Sequence, residues 1–296
     1  MKKNYYYLSA ALLAASFFAS CEEGEPGKQT SKSALSIVAD VETRSSKTDF
    51  VSGDELGLFL LDAEGNTYDN SGSCSNNRAI LATTVWSLEH EVLLSDKIGK
   101  VYAYYPYSNQ VNDLHQVSVT SSSQTDYLYA VPATVDATSP TATLRMKHAL
   151  SLVKFIIKKD GYTGTGNVTE ITLKGIGLSG RMDTATGDIT VTSSGNEKYE
   201  GNFYLDESTP LAIGIISFPQ SVSETVALMK IDGEQYNYKL VPGIWEAGKE
   251  TTYTLKINTD DKSLVMVGSA TIDSWGSGGN YEGNLESGGI DIGTEI

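Results

Sequence analysis

The feature that most constrains the fold is a series of short runs in which apolar and polar side chains alternate. The runs are about five to nine residues long, rich in β-branched and aromatic residues, and Gly, Asp or Asn separates them roughly every eight to twelve residues. A period of two places successive side chains on opposite faces of a strand, and sustained helical periodicity is hard to find. The sequence therefore predicts an all-β protein built from sandwiches. The predicted strands are Leu56–Leu61, Lys100–Tyr105, Gln116–Thr120, Leu150–Lys158, Val168–Leu173, Leu211–Phe218, Thr225–Ile231, Gln235–Leu240 and Thr251–Ile257.

A change of texture near the middle of the chain predicts two domains. Two prolines lie among Ala, Thr and Ser in residues 127–140, and a strongly apolar strand is predicted from Met146 onward. We therefore predict an N-terminal β-sandwich over 34–145 and a C-terminal β-sandwich over 146–275. Each would have about seven strands, with Greek-key connections.

The N-terminus has the pattern of a lipoprotein signal. Two lysines precede a short apolar run at 8–18, and small residues then lead to Cys21. The run is about eleven residues long, whereas a transmembrane helix needs roughly twenty. We therefore expect residues 1–20 to be removed as a signal peptide and Cys21 to carry the lipid. Residues 21–33 would be a flexible tether, because their composition cannot bury enough apolar surface to fold.

The chain is strongly acidic. It has 22 Lys and Arg against 37 Asp and Glu, which gives a formal net charge of −15. Phosphates of nucleic acids and anionic lipid heads would be repelled, so we expect no nucleic-acid partner and a membrane contact through the acyl chains alone. Glu22, Glu23 and Glu25 resemble a surface-export signal of lipoproteins in one Gram-negative phylum, although an ordinary acidic linker has the same composition. The expected location is the outer membrane, facing outward.

No set of residues with catalytic or metal-binding spacing is evident. His90, His115 and His148 are the only histidines; none lies in an HExxH motif, and no GxSxG motif occurs. Cys74 lies in a loop-like Ser/Gly/Asn stretch and would be the only cysteine left after lipidation, so no internal disulfide can form. The tyrosines of 102–107 are expected to pack in the core rather than to bind sugars. We predict no enzyme activity, no cofactor and no metal site.

Both ends of the mature chain carry an isolated strand pattern. One occupies residues 34–43, and the other, 290–296, follows a Gly/Ser/Asn-rich linker, so that 276–296 is a linker with a candidate donor strand. A lone strand on a flexible linker cannot fold by itself and must add to a sheet edge, either its own or a neighbour's. The alternating positions are Leu35, Ile37, Ala39 and Val41 at one end and Ile290, Ile292, Thr294 and Ile296 at the other.

Several short segments, taken in order, carry a family resemblance. They are Val41–Ser45, Phe50, Gly53–Phe59, Val101–Tyr107, His148–Val153, Gly243–Trp245 and Ala247–Lys249 with Thr252 and Tyr253. Their order and spacing across nearly the whole mature chain resemble the fimbrillin family, the lipoprotein subunits of type V pili and their fimbrillin-like relatives.

The resemblance implies two tandem transthyretin-like sandwiches and assembly with other pilin subunits. A trypsin-like or arginine-specific protease would cut between Arg44 and Ser45 and remove the lipid anchor with its strand. The groove left behind would accept residues 290–296 of the next subunit, giving a fimbrium that adheres to a host or bacterial receptor. Pairing of 290–296 within its own chain stays open. A glycan-binding surface lipoprotein of a polysaccharide-uptake system is the main alternative, because it would share the anchor and the architecture.

One short motif suggests a modification. Asp183-Thr184-Ala185 matches an acceptor motif for O-glycosylation in the phylum that the export signal suggests. Because the surrounding stretch is rich in turn-forming residues, we expect Thr184 to be accessible to a glycan.

Overall fold

The regular secondary structure is almost entirely β-strand, in a computed structural model that describes residues 32–42, 50–223 and 225–275. All nine predicted strands overlap an observed one, so the all-β prediction is confirmed. The first half contains β1 (Ser33–Ala34), β2 (Ser36–Val41), β3 (Glu55–Asp62), β4 (Asn77–Ala82), β5 (Val85–Leu88), β6 (Leu93–Leu94), β7 (Gly99–Tyr105), β8 (Val117–Thr120), β9 (Leu128–Ala130), β10 (Ala133–Val135) and β11 (Thr141–His148). Two 3-10 helices, Tyr68–Asn70 and Gly72–Cys74, lie between β3 and β4.

The described residues of the second half form eleven further strands. They are β12 (Ser151–Lys158), β13 (Asn167–Met182), β14 (Ile189–Tyr204), β15 (Leu211–Ser217), β16 (Gln220–Val222), β17 (Val226–Ile231), β18 (Glu234–Lys239), β19 (Gly243–Trp245), β20 (Lys249–Asn258), β21 (Ser263–Met266) and β22 (Thr271–Ser274).

The main sheet of the first half follows the order β2-β11-β9-β7-β3-β4-β5, with β10 beside β7. Every pairing in it is antiparallel except that of β2, which runs parallel to β11. The sheet curls, so that its two end strands, β2 and β5, approach each other. Its inward side chains form a core that includes Leu56, Leu58, Leu60, Val101, Leu128, Leu144 and Met146.

The main sheet of the second half follows the order β14-β13-β17-β18-β21-β20-β12-β15, with β22 beside β20. Strand β12 lies between β20 and β15 and is buried on both faces, which explains its nearly continuous apolar sequence. The core of this half includes Val153, Phe155, Ile171, Leu173, Ile213, Met229, Trp245 and Tyr253.

The predicted boundary after residue 145 lies inside β11. This strand continues to His148 and pairs with β2 and β9 of the first sheet. Ala149 and Leu150 then form a buried bend before β12 starts at Ser151. The prediction of a new strand from Met146 was wrong because the apolar run covers the end of one strand, a bend and the start of the next.

The two halves share a continuous junction. Strand β8 leaves the first half and pairs with β13 of the second, with Val119 opposite Gly180. The buried Gln124 reinforces the contact, since its side-chain amide donates to the carbonyl of Ile216 at 3.0 Å and its carbonyl accepts from the Ile216 N–H at 2.8 Å. A third apolar cluster fills the junction with Phe59, Tyr104, Val117, Leu150, Met182, Phe218 and Trp275, among others.

A tight hairpin at Asp232-Gly233 joins β17 to β18. Both residues have positive φ, 52° and 83°, as a two-residue type I′ turn between β17 and β18 requires. The Asp232 carboxylate also accepts hydrogen bonds from the N–H groups of Gly166 and Asn167, both at 2.8 Å, and from the hydroxyls of Thr165 and Tyr162. Desolvation opposes ionisation, but these donors outweigh it and hold the pKa of this carboxyl below its usual range.

Asp232→Asn is expected to keep the turn but to remove an acid-sensitive contribution to stability. Because the pKa of Asp232 is lower in the folded than in the unfolded chain, its ionised carboxylate stabilises the protein at pH values above the unfolded pKa of about 4. This stabilisation is lost as the pH falls through the folded-state pKa. Because Asp232 is exposed, we expect a loss of only about 1 kcal/mol at pH 7. Urea denaturation at pH 7 and pH 3 checks this, and the difference between wild type and variant should shrink at pH 3. A difference that grows at pH 3 would contradict the assignment.

Candidate assembly groove

Strand β2 is an edge strand whose apolar side chains are inserted into the first half. Leu35, directly before β2, and Ile37 and Val41 within it are 8, 5 and 9% exposed, whereas Val38 on the opposite face is 51% exposed. The alternation predicted for residues 34–43 is therefore confirmed over its described part, and the smaller Ala39 is half-buried. The inward-facing side chains of this segment are therefore part of the core of the first half.

Main-chain hydrogen bonds hold β2 along one side. It pairs with β11 in parallel register from Ser36 opposite Thr141 to Val41 opposite Met146. At its ends, the Leu35 N–H donates to the carbonyl of Val92 at 2.9 Å, and the Glu42 N–H donates to the carbonyl of Met146 at 2.6 Å. Among the described residues, β11 is the only strand that forms a ladder with β2.

The strand beside β2 has apolar, fully buried side chains on its inward face. Ala142, Leu144 and Met146 of β11 are 0% exposed and stand opposite Ile37, Ala39 and Val41 in the ladder. Burying a Leu, Ile or Val side chain contributes about 1.5–3 kcal/mol, so the three buried side chains of this segment contribute roughly 5–9 kcal/mol. Removing β2 would expose an apolar groove and an unpaired strand edge together.

On the side away from β11, β2 borders a cavity instead of a second hydrogen-bonded strand among the described residues. A cavity of about 250 Å³ separates β2 from β5 and is lined by Ile37, Phe50, Leu81 and Trp86, among others. The rings of Phe50 and Trp86 meet edge to face with centroids 5.2 Å apart, and Phe50 packs in the same manner on Tyr105 at 5.5 Å. Phe50 is thus held beside β2 by two aromatic contacts.

Most of the other predicted site residues lie outside the described ranges. The structure therefore does not place the lipidation residue, the processing pair or the candidate donor strand; these are Cys21, Arg44, Ser45, Ile290, Ile292, Thr294 and Ile296.

The last described residue, Trp275, is firmly docked at the junction. Its ring stacks on His148 with centroids 4.3 Å apart and an interplanar angle of 12°, and its backbone N–H donates to the carbonyl of Gly248 at 3.0 Å. His148 in turn contacts the Asp126 carboxylate through Nδ1 at 2.8 Å. The roles of His148 and Trp275 were not predictable from the sequence, because both depend on contacts between residues distant in sequence.

The expectation that Thr184 is accessible was wrong. The residue does lie in a turn, between Asp183 and Asp188, but it is 0% exposed, and its N–H donates to the carbonyl of Leu114 at 2.8 Å. Its hydroxyl is buried at the junction, so the folded chain leaves no space for a glycan there. O-glycosylation of Thr184 stays a prediction only for a chain modified before it folds.

The tyrosines of 102–107 mainly have the structural role that the sequence predicted. Tyr104 is fully buried, and its hydroxyl lies 2.7 Å from Asn76 Oδ1; burial raises the pKa of Tyr104 to about 12. The Tyr105 hydroxyl donates to Asp54 at 3.2 Å. Cys74 is buried in the second 3-10 helix, and its burial raises the pKa of the thiol, which opposes reactivity.

Within residues 32–42, 50–223 and 225–275, no three His, Cys, Asp or Glu side chains are close enough together to hold a metal ion. The same part of the chain contains no helix with the length and apolar character needed to cross a membrane.

Comparison with models of known protein families identifies the family of this chain. The model of the fimbrillin-like family matches residues 43–275. The chain belongs to the fimbrillin-like family. No curated protein matches this fimbrillin-like chain.

Three solved structures from Bacteroides species are similar to this chain in fold. A candidate cell adhesion protein from Bacteroides uniformis shares 20% identity at a TM-score of 0.66, over 83% of this chain and 99% of that one. A candidate cell adhesion protein from Bacteroides ovatus shares 20% identity at 0.64, over 82% and 98%. A fimbrial protein from Bacteroides vulgatus shares 14% identity at 0.55, over 82% and 99%. Because the sequence identities are this low, the similarity shows a shared fold and nothing more about this fimbrillin-like protein.

Proposed function

We propose that this fimbrillin-like protein is a structural subunit of a cell-surface pilus that assembles by strand exchange and supports adhesion. It would be exported to the outer membrane as a lipoprotein with Cys21 acylated, and a protease would then cut between Arg44 and Ser45. The observation that carries the proposal is the placement of β2. This strand is inserted into an apolar groove, yet it precedes the proposed cleavage position and would leave with the lipid anchor.

The C-terminal segment has the chemistry to replace β2. Ile290, Ile292 and Ile296 would supply three apolar side chains at alternating positions, each able to contribute about 1.5–3 kcal/mol on burial. Main-chain pairing with the freed edge of β11 would add to this. The gain is large enough to hold subunits together after the cost of ordering the segment is subtracted.

Such a contact would generate a fibre. The donor strand and the acceptor groove are different surfaces of one subunit, so the contact is heterologous and repeats without closing. Other pilin subunits are therefore the proposed partners, and a receptor on a host or bacterial surface is the proposed target. A structural subunit of this kind needs no catalytic centre, and we propose that the protein is not an enzyme.

Limited proteolysis tests the processing step. The unlipidated chain is treated with a trace of trypsin, and the new N-terminus is determined. We expect Ser45 as the first residue, followed by SDS-resistant multimers and filaments in electron micrographs. Because Lys47 offers trypsin a second bond nearby, Arg44→Ala and Lys47→Ala form a matched pair of variants.

The two variants should behave differently. Arg44→Ala should resist an arginine-specific protease and remain monomeric, whereas Lys47→Ala should be cut and polymerise like the wild type. Cleavage that yields only monomers would contradict strand exchange and favour a monomeric glycan-binding lipoprotein.

A further inference from the structure

A polar cleft of about 490 Å³ opens at the junction of the two halves, where β8 crosses to β13. Its volume falls within the roughly 300–1,000 Å³ that is typical of ligand pockets. It shares no lining residue with the cavity beside β2, so it is independent of the assembly groove. The side chains relevant to binding are Tyr107, Gln110, Asn112, Gln116, Tyr127 and Arg181.

The loop that forms one wall of the cleft is fixed in place. The Tyr107 N–H donates to the carbonyl of Glu55 at 3.0 Å. The carbonyl of Ser108 accepts from the Asn76 side chain at 2.9 Å, and the Ser108 N–H donates to the hydroxyl of the buried Tyr104 at 3.2 Å. The floor is apolar, since Val111 and Val117 are buried in the junction cluster. The cleft is therefore preformed, which reduces the entropy lost when a ligand binds.

Arg181 stands at the centre of a longer binding surface. It lies opposite Ser118 in the β8–β13 ladder, and its guanidinium donates to the Ser118 hydroxyl. A second cavity of about 250 Å³ shares Ser118, Tyr127 and Arg181 with the first and continues along β13. Two adjoining cavities around one arginine suit an elongated ligand with an anionic group at its middle.

The charge of the cleft is opposite to that of the chain as a whole. The sequence has 37 acidic residues against 22 basic ones. Among the residues that the structure describes, no carboxylate lines either cavity, and Arg181 is the charged side chain in both. Nearby acidic residues contact histidines instead, Asp183 with His115 at 2.9 Å and Asp126 with His148 at 2.8 Å. In the part of the chain that is described, no carboxylate forms an ion pair with Arg181, so its guanidinium fork can accept an external carboxylate.

The remaining lining side chains favour a sugar. Gln110, Asn112 and Gln116 are exposed amides that can donate to and accept from hydroxyl groups. Tyr107 and Tyr127 are half-buried. The Arg78 guanidinium lies over one face of the Tyr107 ring, 5.7 Å from its centre, which leaves the opposite face of Tyr107 and the ring of Tyr127 as surface against which the apolar faces of a pyranose can pack.

We propose that this cleft binds an oligosaccharide that carries carboxylate groups, such as a uronic-acid oligomer. Arg181 binds the carboxylate, the amides bind hydroxyl groups, and the two tyrosines contact the sugar rings. This inference does not depend on strand exchange, because the cleft is complete within one chain.

Titration calorimetry of the unlipidated full chain with β2 retained tests the proposal. We expect tetragalacturonate to bind about tenfold or more tightly than the neutral maltotetraose, which would correspond to about 1.4 kcal/mol or more. Added salt should weaken the binding of tetragalacturonate and leave the binding of maltotetraose unchanged, because it screens only the charged interaction. Arg181→Gln should abolish the preference, whereas Arg145→Gln, which removes an exposed arginine on β11, should leave it unchanged.

Folding is verified by circular dichroism and thermal denaturation of each variant. If Arg181→Gln does not fold, Gln116→Ala on the exposed loop replaces it, with an expected loss of affinity of about threefold for a single hydrogen bond. The proposal is overturned if the wild type binds neither oligosaccharide, if it binds both equally, or if the folded cleft variant binds as the wild type does. Filament formation is measured separately, so failure of either proposal is recognised independently.

Discussion

A chain that begins at Ser45 is expected to lose roughly 5–9 kcal/mol of unfolding free energy relative to one that begins at Ser33. The shorter chain lacks β2, so Leu35, Ile37 and Val41 no longer fill the groove beside β11. Because whole domains are typically stable by about 5–15 kcal/mol, this loss is comparable with the entire stability of the first half. The first half of a processed subunit should therefore be only marginally folded until a donor strand arrives.

Urea denaturation and hydrogen exchange measure this effect. We expect the amides of β11 and β5 to lose protection in the Ser45 chain, while those of β12 and β20 retain most of theirs. The chain that begins at Ser33 is the control, since it lacks the tether but keeps β2. Equal protection of β11 in both chains would show that β2 contributes little to the groove.

The second large effect concerns a buried ion pair in the second half. Lys154 of β12 and Glu250 of β20 are 3 and 4% exposed, with Nζ and Oε1 3.6 Å apart, and Thr252 Oγ1 donates to the same carboxylate at 3.1 Å. Glu250→Leu removes this carboxylate from beside the buried ammonium group of Lys154. We expect the unfolding free energy to fall by about 3–5 kcal/mol.

A double variant separates charge from packing. Lys154→Met combined with Glu250→Leu should recover most of the loss, because an apolar pair of similar volume avoids burying charge. Lys256→Met is the matched control; it breaks the exposed pair with Asp160, 3.3 Å apart, and should cost less than about 1 kcal/mol. Urea denaturation of the single variant, the double variant and the control measures their unfolding free energies. If the double variant is as unstable as Glu250→Leu, the loss of unfolding free energy comes from altered packing and not from the buried charge.

The sequence was sufficient where structure depends on local periodicity. Strand β2 was predictable because alternate side chains face the core, and the β17–β18 hairpin because Asp232-Gly233 suits a turn with two positive φ values. The long edge strand β14 was missed because it is mostly exposed and so carries little apolar alternation.

Features that depend on contacts between the halves were not predictable. Thr184 lies in a turn-rich stretch but is buried by the junction, and Arg181 meets Tyr127 and Ser118 only because β8 pairs with β13. The boundary was misplaced because a buried bend at Ala149 and Leu150 has the same apolar composition as the strands on either side of it. Local sequence does not encode which distant element covers a residue.

Replacement of β2 by the C-terminal strand is tested most directly by peptide binding. A synthetic peptide of residues 289–296 is titrated into the chain that begins at Ser45 and ends before residue 276, and into a matched chain that begins at Ser33. We expect saturable binding and restored amide protection of β11 in the Ser45 chain, with no binding to the chain that keeps β2. A control peptide with its isoleucines replaced by aspartate should bind neither. Equal binding to both chains, or no binding to either, would contradict strand exchange as the basis of assembly.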